Sequence, residues 1–267
     1  LPVVLAVVLV AALVFVYVAK DDKAGAERSV ASGAVVSAIS GVPAAALDQV
    51  GVGTTRSTPT LVANYQPLFA ADGTIRVLYV GAEYCPFCAG ERWSLAIALS
   101  RFGTFGNLQQ TASSPTDVYP NTNTLSFYGA TYTSDALTLS SYETADTSGN
   151  PLQDLSSGDR DLTAKFNSAP YVSSPGSIPF LLVGGKYVFS GASFDVGVLQ
   201  GLSHDKIAAD LSNPDSAVSK AILGGANEIT AAICDVLTDH GSAPAAVCGS
   251  PGVQAAAAEL AGLKPVG

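Results

Sequence analysis

The chain opens on an unbroken apolar run. Residues 1–18, LPVVLAVVLVAALVFVYV, contain no charged or strongly polar side chain. As a helix this run would extend about 27 Å, close to the roughly 30 Å hydrocarbon core of a bilayer. It is longer than the apolar stretch of a secretory signal and lacks a small-x-small cleavage site. The pattern predicts a membrane helix over residues 1–20; a buried core helix is the alternative. Lys20, Asp21, Asp22 and Lys23 are mixed in sign and do not orient it.

Behind that run the pattern becomes that of a mixed α/β protein. Residues 21–32 read as a polar stalk and residues 35–47 as two short helical turns, so residues 21–60 are expected to bridge the anchor and a folded unit at 61–267. The β-branched run at residues 75–80, bounded by Asp72-Gly73 and Gly81, predicts a buried strand. Residues 89–102 read as a helix whose apolar positions, Trp93 and Leu95 to Leu99 among them, occupy nearly the whole circumference, as in a central helix. Residues 111–174 turn Ser/Thr/Asn/Tyr-rich and predict an insertion of edge strands and loops. Two apolar runs at 180–183 and 186–189, separated by Gly184-Gly185, predict a hairpin. The remainder, about 203–267, reads as helical, with segments near 205–211, 215–237 and 253–263. There is no internal repeat.

Composition narrows the function classes. The 267 residues hold 13 Lys+Arg against 22 Asp+Glu, a formal net charge of -9, which lacks the basic footprint of a nucleic-acid binder. Only 13% of residues are charged and 48% are apolar, so disorder is excluded as the main state. No phosphate loop, dinucleotide fingerprint or nucleophilic serine motif is present, and no cofactor is called for. His204 and His240 read as surface residues.

The chemistry lies in Cys85-Pro86-Phe87-Cys88, between the predicted strand and the central helix. Pro at the first helical turn lacks an N–H that would be orphaned there anyway. The helix N-terminus favours a thiolate on Cys85, and two intervening residues bring Cys88 back to it. Cys85 is therefore expected to be the exposed, attacking thiol and Cys88 the deeper, resolving one. Zinc sites use the same spacing, so the pair is only a moderate signal alone. Ser177-Ile178-Pro179, just before the hairpin, adds to it. An X-Pro at a strand's start tolerates a cis peptide, and Ile178 and Pro179 can face the cysteines and hold an extended substrate. Glu83, Glu91 and Arg92 flank the turn. Glu83 is best placed to carry a proton from the buried thiol, with surface or ion-pair roles equally open for all three.

The stretch Tyr79-Val80-Gly81-Ala82-Glu83-Tyr84-Cys85-Pro86-Phe87-Cys88-Ala89-Gly90-Glu91-Arg92-Trp93, running on to Gly103, resembles a prokaryotic family of membrane-anchored, thioredoxin-like proteins catalogued as a domain of unknown function. The resemblance implies a thioredoxin-like fold with an inserted segment and a thiol–disulfide site, without a known substrate.

Cys234 and Cys248 are expected to form a structural disulfide; two buried free thiols, or a zinc site using all four cysteines, are the alternatives, and no metal site is favoured. A disulfide implies an oxidising compartment, which places the folded part outside the cytoplasm. Two functional readings follow. One is a membrane-tethered thiol–disulfide oxidoreductase acting on protein thiols or disulfides. The other is an accessory or assembly subunit of an integral membrane complex, for example a respiratory one.

Overall fold

The computed structural model describes residues 27–267, and the expected membrane helix over residues 1–18 lies outside them. In chain order the described elements begin with β1 (Ser29–Val30), α1 (Gly33–Ser40), α2 (Ala44–Val50), β2 (Thr60–Leu61), β3 (Ile75–Gly81) and α3 (Pro86–Ser100). There follow β4 (Thr104–Gly106), β5 (Gln109–Ala112), β6 (Asn123–Ser126), β7 (Thr131–Thr133), β8 (Leu137–Glu143) and α4 (Ser157–Phe166). The chain ends through β9 (Phe180–Val183), β10 (Tyr187–Ser190), a 3-10 turn at Val196–Leu199, α5 (His204–Asp210), α6 (Ala217–Asp239), α7 (Ala245–Cys248) and α8 (Pro251–Ala261). It is a mixed α/β architecture.

The central sheet has the order β2-β10-β9-β3-β8, with β3 and β8 parallel and the other pairs antiparallel. Successive side chains point to opposite faces of a strand, and both faces of this sheet are covered. Val77, Tyr79, Leu181, Val183, Tyr187 and Phe189 join the main core, under α3 and α6. Leu78, Val80, Phe180, Leu182 and Val188 form a second cluster with Phe166 of α4. A strand buried on both sides reads as a continuous apolar run, which is why residues 75–80 stood out.

Helix α3 is enclosed all round. Trp93 is fully buried, its indole N–H donating to the Asn123 carbonyl at 3.1 Å. Against α6 the approach is close: Ser94 Oγ donates to the Ile222 carbonyl at 2.8 Å, and a Cβ on Gly225 would lie 2.7 Å from the Ser94 Oγ. Serines cap the helix starts, each Ser32, Ser156, Ser203 and Ser216 hydroxyl accepting a first-turn N–H. Among the described residues α6 is the one unbroken helix long and apolar enough to cross a membrane, yet its apolar window is 89% buried inside the fold; α1 and α2 pass the same test only as a pair, bent by 63°. The Gly-Gly turn forms between β9 and β10, with φ of +58° at Gly184 and +77° at Gly185, which glycine adopts without a Cβ clash.

Two expectations change. The part of the stalk that is described is folded onto the body: β1 pairs with β5, and Ile39 and Leu47 are buried in the core. The segment 111–174, expected to supply edge strands and loops, contributes β8, which lies at the margin of the central sheet beside β3. Its Thr138, Ser140 and Ser141 are only half-buried, as an edge strand allows. His204 is not a plain surface residue: its Nε2 sits 2.8 Å from the Thr111 carbonyl and 2.9 Å from that of Thr124.

Candidate functional site

Strand β3 delivers the chain to the first turn of α3, and the two cysteines fall where that helix begins. Cys85 is the N-cap residue: its backbone is extended (φ −76°, ψ 120°) and its Sγ accepts the Cys88 N–H at 3.2 Å. Pro86 occupies the first helical turn. Cys88 is completely buried, and both cysteines are free thiols.

The loop before β9 reaches the same place. The Ile178–Pro179 peptide is cis, and the Cys85 thiol donates toward the Ile178 carbonyl at 3.7 Å. Thus Cys85, Cys88, Ile178 and Pro179, separated by about ninety residues of sequence, meet at one point. The Ala169–Pro170 peptide is also cis.

One expectation about Cys85 is corrected. It is not an exposed thiol: only 5% of the residue is accessible. The covering pieces come from elsewhere in the chain. The Ser114 N–H donates to the Tyr84 carbonyl at 2.9 Å and so ties the loop after β5 over the turn. Phe87, 42% exposed, meets Tyr119 edge-on at 6.0 Å between ring centroids. A shallow groove of about 640 Å³ opens beside Tyr84, walled by Ser114, Asp117 and Val118 on one side and residues 147–149 on the other.

The two thiols are electrostatically unequal. The Cys85 thiol is held below its usual value, foremost by the hydrogen bond from the Cys88 thiol, then by the Cys88 N–H and the charge of Arg92, against burial that pushes it up. Burial pushes the Cys88 thiol well up, and the proximity of Cys85 adds to it. A thiolate is the nucleophile in exchange, so this asymmetry suits Cys85 for attack and Cys88 for resolution.

Glu83 has both carboxylate oxygens engaged by other side chains. It is buried, with one carboxylate oxygen on the Ser126 hydroxyl and the other on Arg28 at 2.6 Å. Glu91 is buried on another face of α3, accepting the Ser193 N–H at 2.8 Å and the Ser193 hydroxyl at 2.9 Å; burial raises its pKa to about 7.

Sequence reasoning left unassigned the pair that lies closest beneath the cysteines. Arg92 and Glu143 are both fully buried, joined by two parallel bonds of 2.9 Å from Nε and Nη2. The only signal for it was the charged Glu91-Arg92 step on a helix otherwise largely apolar. Its partner, on β8, was hidden in a polar stretch.

Cys234 and Cys248 are bonded to each other, closing a sequence separation of 14 between α6 and α7. Glu228 is the one buried acid of α6. It lines a cavity of about 260 Å³ with residues 52–58 and Glu259, and its Oε2 is buried without a hydrogen-bond partner among the described residues. Burial raises its pKa to about 8, with Glu91 and Glu259 adding to the shift. Among the described residues no cluster of three or more His, Cys, Asp or Glu could hold a metal ion.

Residues 61–173 match a family described as a domain of unknown function (DUF929). The matched region carries β3, both cysteines of the pair, α3 and β8, and ends before Ile178. No curated protein and no solved structure matches the chain.

Proposed function

We propose that the protein is a thiol–disulfide oxidoreductase of thioredoxin-like fold, tethered to a membrane through residues 1–18 and working on the extracytoplasmic side. One observation carries the reading: a free Cys85 sulfur at the start of an enclosed helix receives the Cys88 N–H at 3.2 Å and faces the Ile178 carbonyl at 3.7 Å. The order of strand, Cys-Pro-Phe-Cys, helix, cis-proline, antiparallel hairpin and further helix supports the fold assignment. The Cys234–Cys248 disulfide supports an oxidising compartment.

In the reaction, the Cys85 thiolate attacks one sulfur of a partner's disulfide. A mixed disulfide forms, and the partner's other sulfur leaves as a thiolate and takes up a proton. Cys88 then loses its proton and attacks the Cys85 sulfur, releasing the partner's second thiolate. The partner has gained two electrons and the Cys85–Cys88 pair is oxidised. Run in reverse, the oxidised pair accepts two electrons from a partner dithiol. The groove beside Tyr84 and the near-closure of Cys85 favour an extended partner segment over a folded surface. The Ile178 carbonyl offers that segment a backbone hydrogen bond.

A trapping experiment tests the proposal. With Cys88→Ser the mixed disulfide cannot be resolved, so a covalent adduct to Cys85 accumulates on exposure to a disulfide-containing peptide. Cys85→Ser accumulates none. Equal trapping by both variants, or by neither, refutes the mechanism. Purification in mild detergent separates a self-standing enzyme from a subunit: a stoichiometric integral membrane partner favours the accessory-subunit reading.

A further inference from the structure

Resting on the thiol–disulfide reading, we propose that Arg92 is the positioning residue of the cysteine pair. Its buried guanidinium, oriented by Glu143 and the Ala82 carbonyl, is the fixed positive charge against which the Cys85 and Cys88 thiolates form in turn.

The geometry converges on Ala82. Its carbonyl accepts the Cys85 N–H at 3.2 Å and also the Arg92 Nη2. Its N–H is directed to the Cys88 sulfur. The backbone of one residue, Ala82, therefore touches both cysteines and the guanidinium. Helical spacing agrees, because Arg92 lies four residues after Cys88 and so stacks on the same face of α3.

The guanidinium is also incompletely satisfied. Nε and Nη2 are bonded to Glu143 and Ala82, but Nη1 is buried with no hydrogen-bond partner among the described residues. The Tyr79 hydroxyl, in the same cluster, is likewise buried and unpartnered. Buried donors are nearly always paired. An orphan donor on a cation beside two thiols is what a site prepared for a developing anion would hold.

The charged and titratable groups around the pair are few. Tyr79 comes from β3, Glu143 from β8 and Glu83, itself paired with Arg28, from the turn before α3. Tyr84 adjoins Cys85. Glu91 sits on another face of α3, bonded to Ser193, and Glu228 sits on α6 beside the cavity it lines. Among these groups Arg92 is the cation that acts on both sulfurs, and Glu143, the carboxylate bonded to it, carries the opposite charge.

The opposition supplies a test that a merely structural ion pair would fail. The full chain in detergent, reduced at Cys85–Cys88, is alkylated with iodoacetamide across pH, and modification of Cys85 is followed by mass spectrometry. Arg92→Gln should move the midpoint to higher pH and slow alkylation below it about tenfold. Glu143→Gln removes the opposing charge and should move the midpoint to lower pH. Arg92→Lys should stay near wild type. Shifts of opposite sign support the proposal. Shifts of the same sign, or no shift in Glu143→Gln, overturn it. If Arg92→Gln does not fold, the Glu143→Gln and Arg92→Lys profiles decide alone. Opposite shifts in a protein that exchanges with no disulfide would refute the redox reading and leave the electrostatic role standing.

Discussion

Replacing Glu228 by Gln should change not only how stable the protein is but how stability depends on pH. Glu228 sits on α6 with an unpartnered, buried Oε2, and its pKa is raised from 4.5 to about 8. The folded state therefore holds a proton that the unfolded chain gives up near pH 4.5. That contribution is fully present below about pH 4.5 and is lost as pH rises toward 8. Between 4.5 and pH ~7 the loss is about 3 kcal/mol at 1.36 kcal/mol per unit, with a limit of roughly 5 kcal/mol above pH 8. A glutamine has the shape of the protonated acid and cannot ionise, so it abolishes this term. Urea unfolding can be followed through Trp93, the one tryptophan of the chain, which is fully buried. The variant should match wild type near pH 4.5 and exceed it by about 3 kcal/mol near neutrality. Parallel stability curves for the two proteins across that range would refute the reasoning.

Other outcomes follow from the packing and the cross-link. Replacing Cys234 and Cys248 by Ala opens a loop of 14-residue separation and should lower stability by about 3 kcal/mol, measured by denaturant midpoint under non-reducing conditions. Gly224→Ala should destabilise, because the added Cβ would lie 2.5 Å from the Val52 carbonyl oxygen. Overpacking of about 1–3 kcal/mol outweighs the roughly 1 kcal/mol gained in helix propensity, and a raised melting temperature would count against that geometry. Trp93→Ala should cost about 3–5 kcal/mol by cavity formation, read in the same unfolding assay by circular dichroism.

How much of this was legible in sequence depends on the range of the forces involved. Strand β3, helix α3 and the Gly184–Gly185 hairpin were readable because local periodicity and turn chemistry specify them. The cysteine pair and the Ile178–Pro179 loop were readable as parts, each having a local signature. Strand β8 read as a peripheral edge piece, since Thr138, Ser140 and Ser141 need only half-burial at a sheet margin. The Arg92–Glu143 pairing therefore had no visible second half. The near-closure of Cys85 was equally hidden, because the pieces that cover it come from residues 114–119 and 178–179.

The most direct test of the central claim is the redox equilibrium of Cys85 and Cys88 in graded glutathione buffers, with the dithiol fraction read by mass spectrometry. The account predicts a single reversible two-electron transition to an intramolecular Cys85–Cys88 disulfide, within the roughly −120 to −270 mV span of known dithiol exchangers. A pair that stays reduced at every buffer ratio, while Cys234–Cys248 remains bonded, would contradict it.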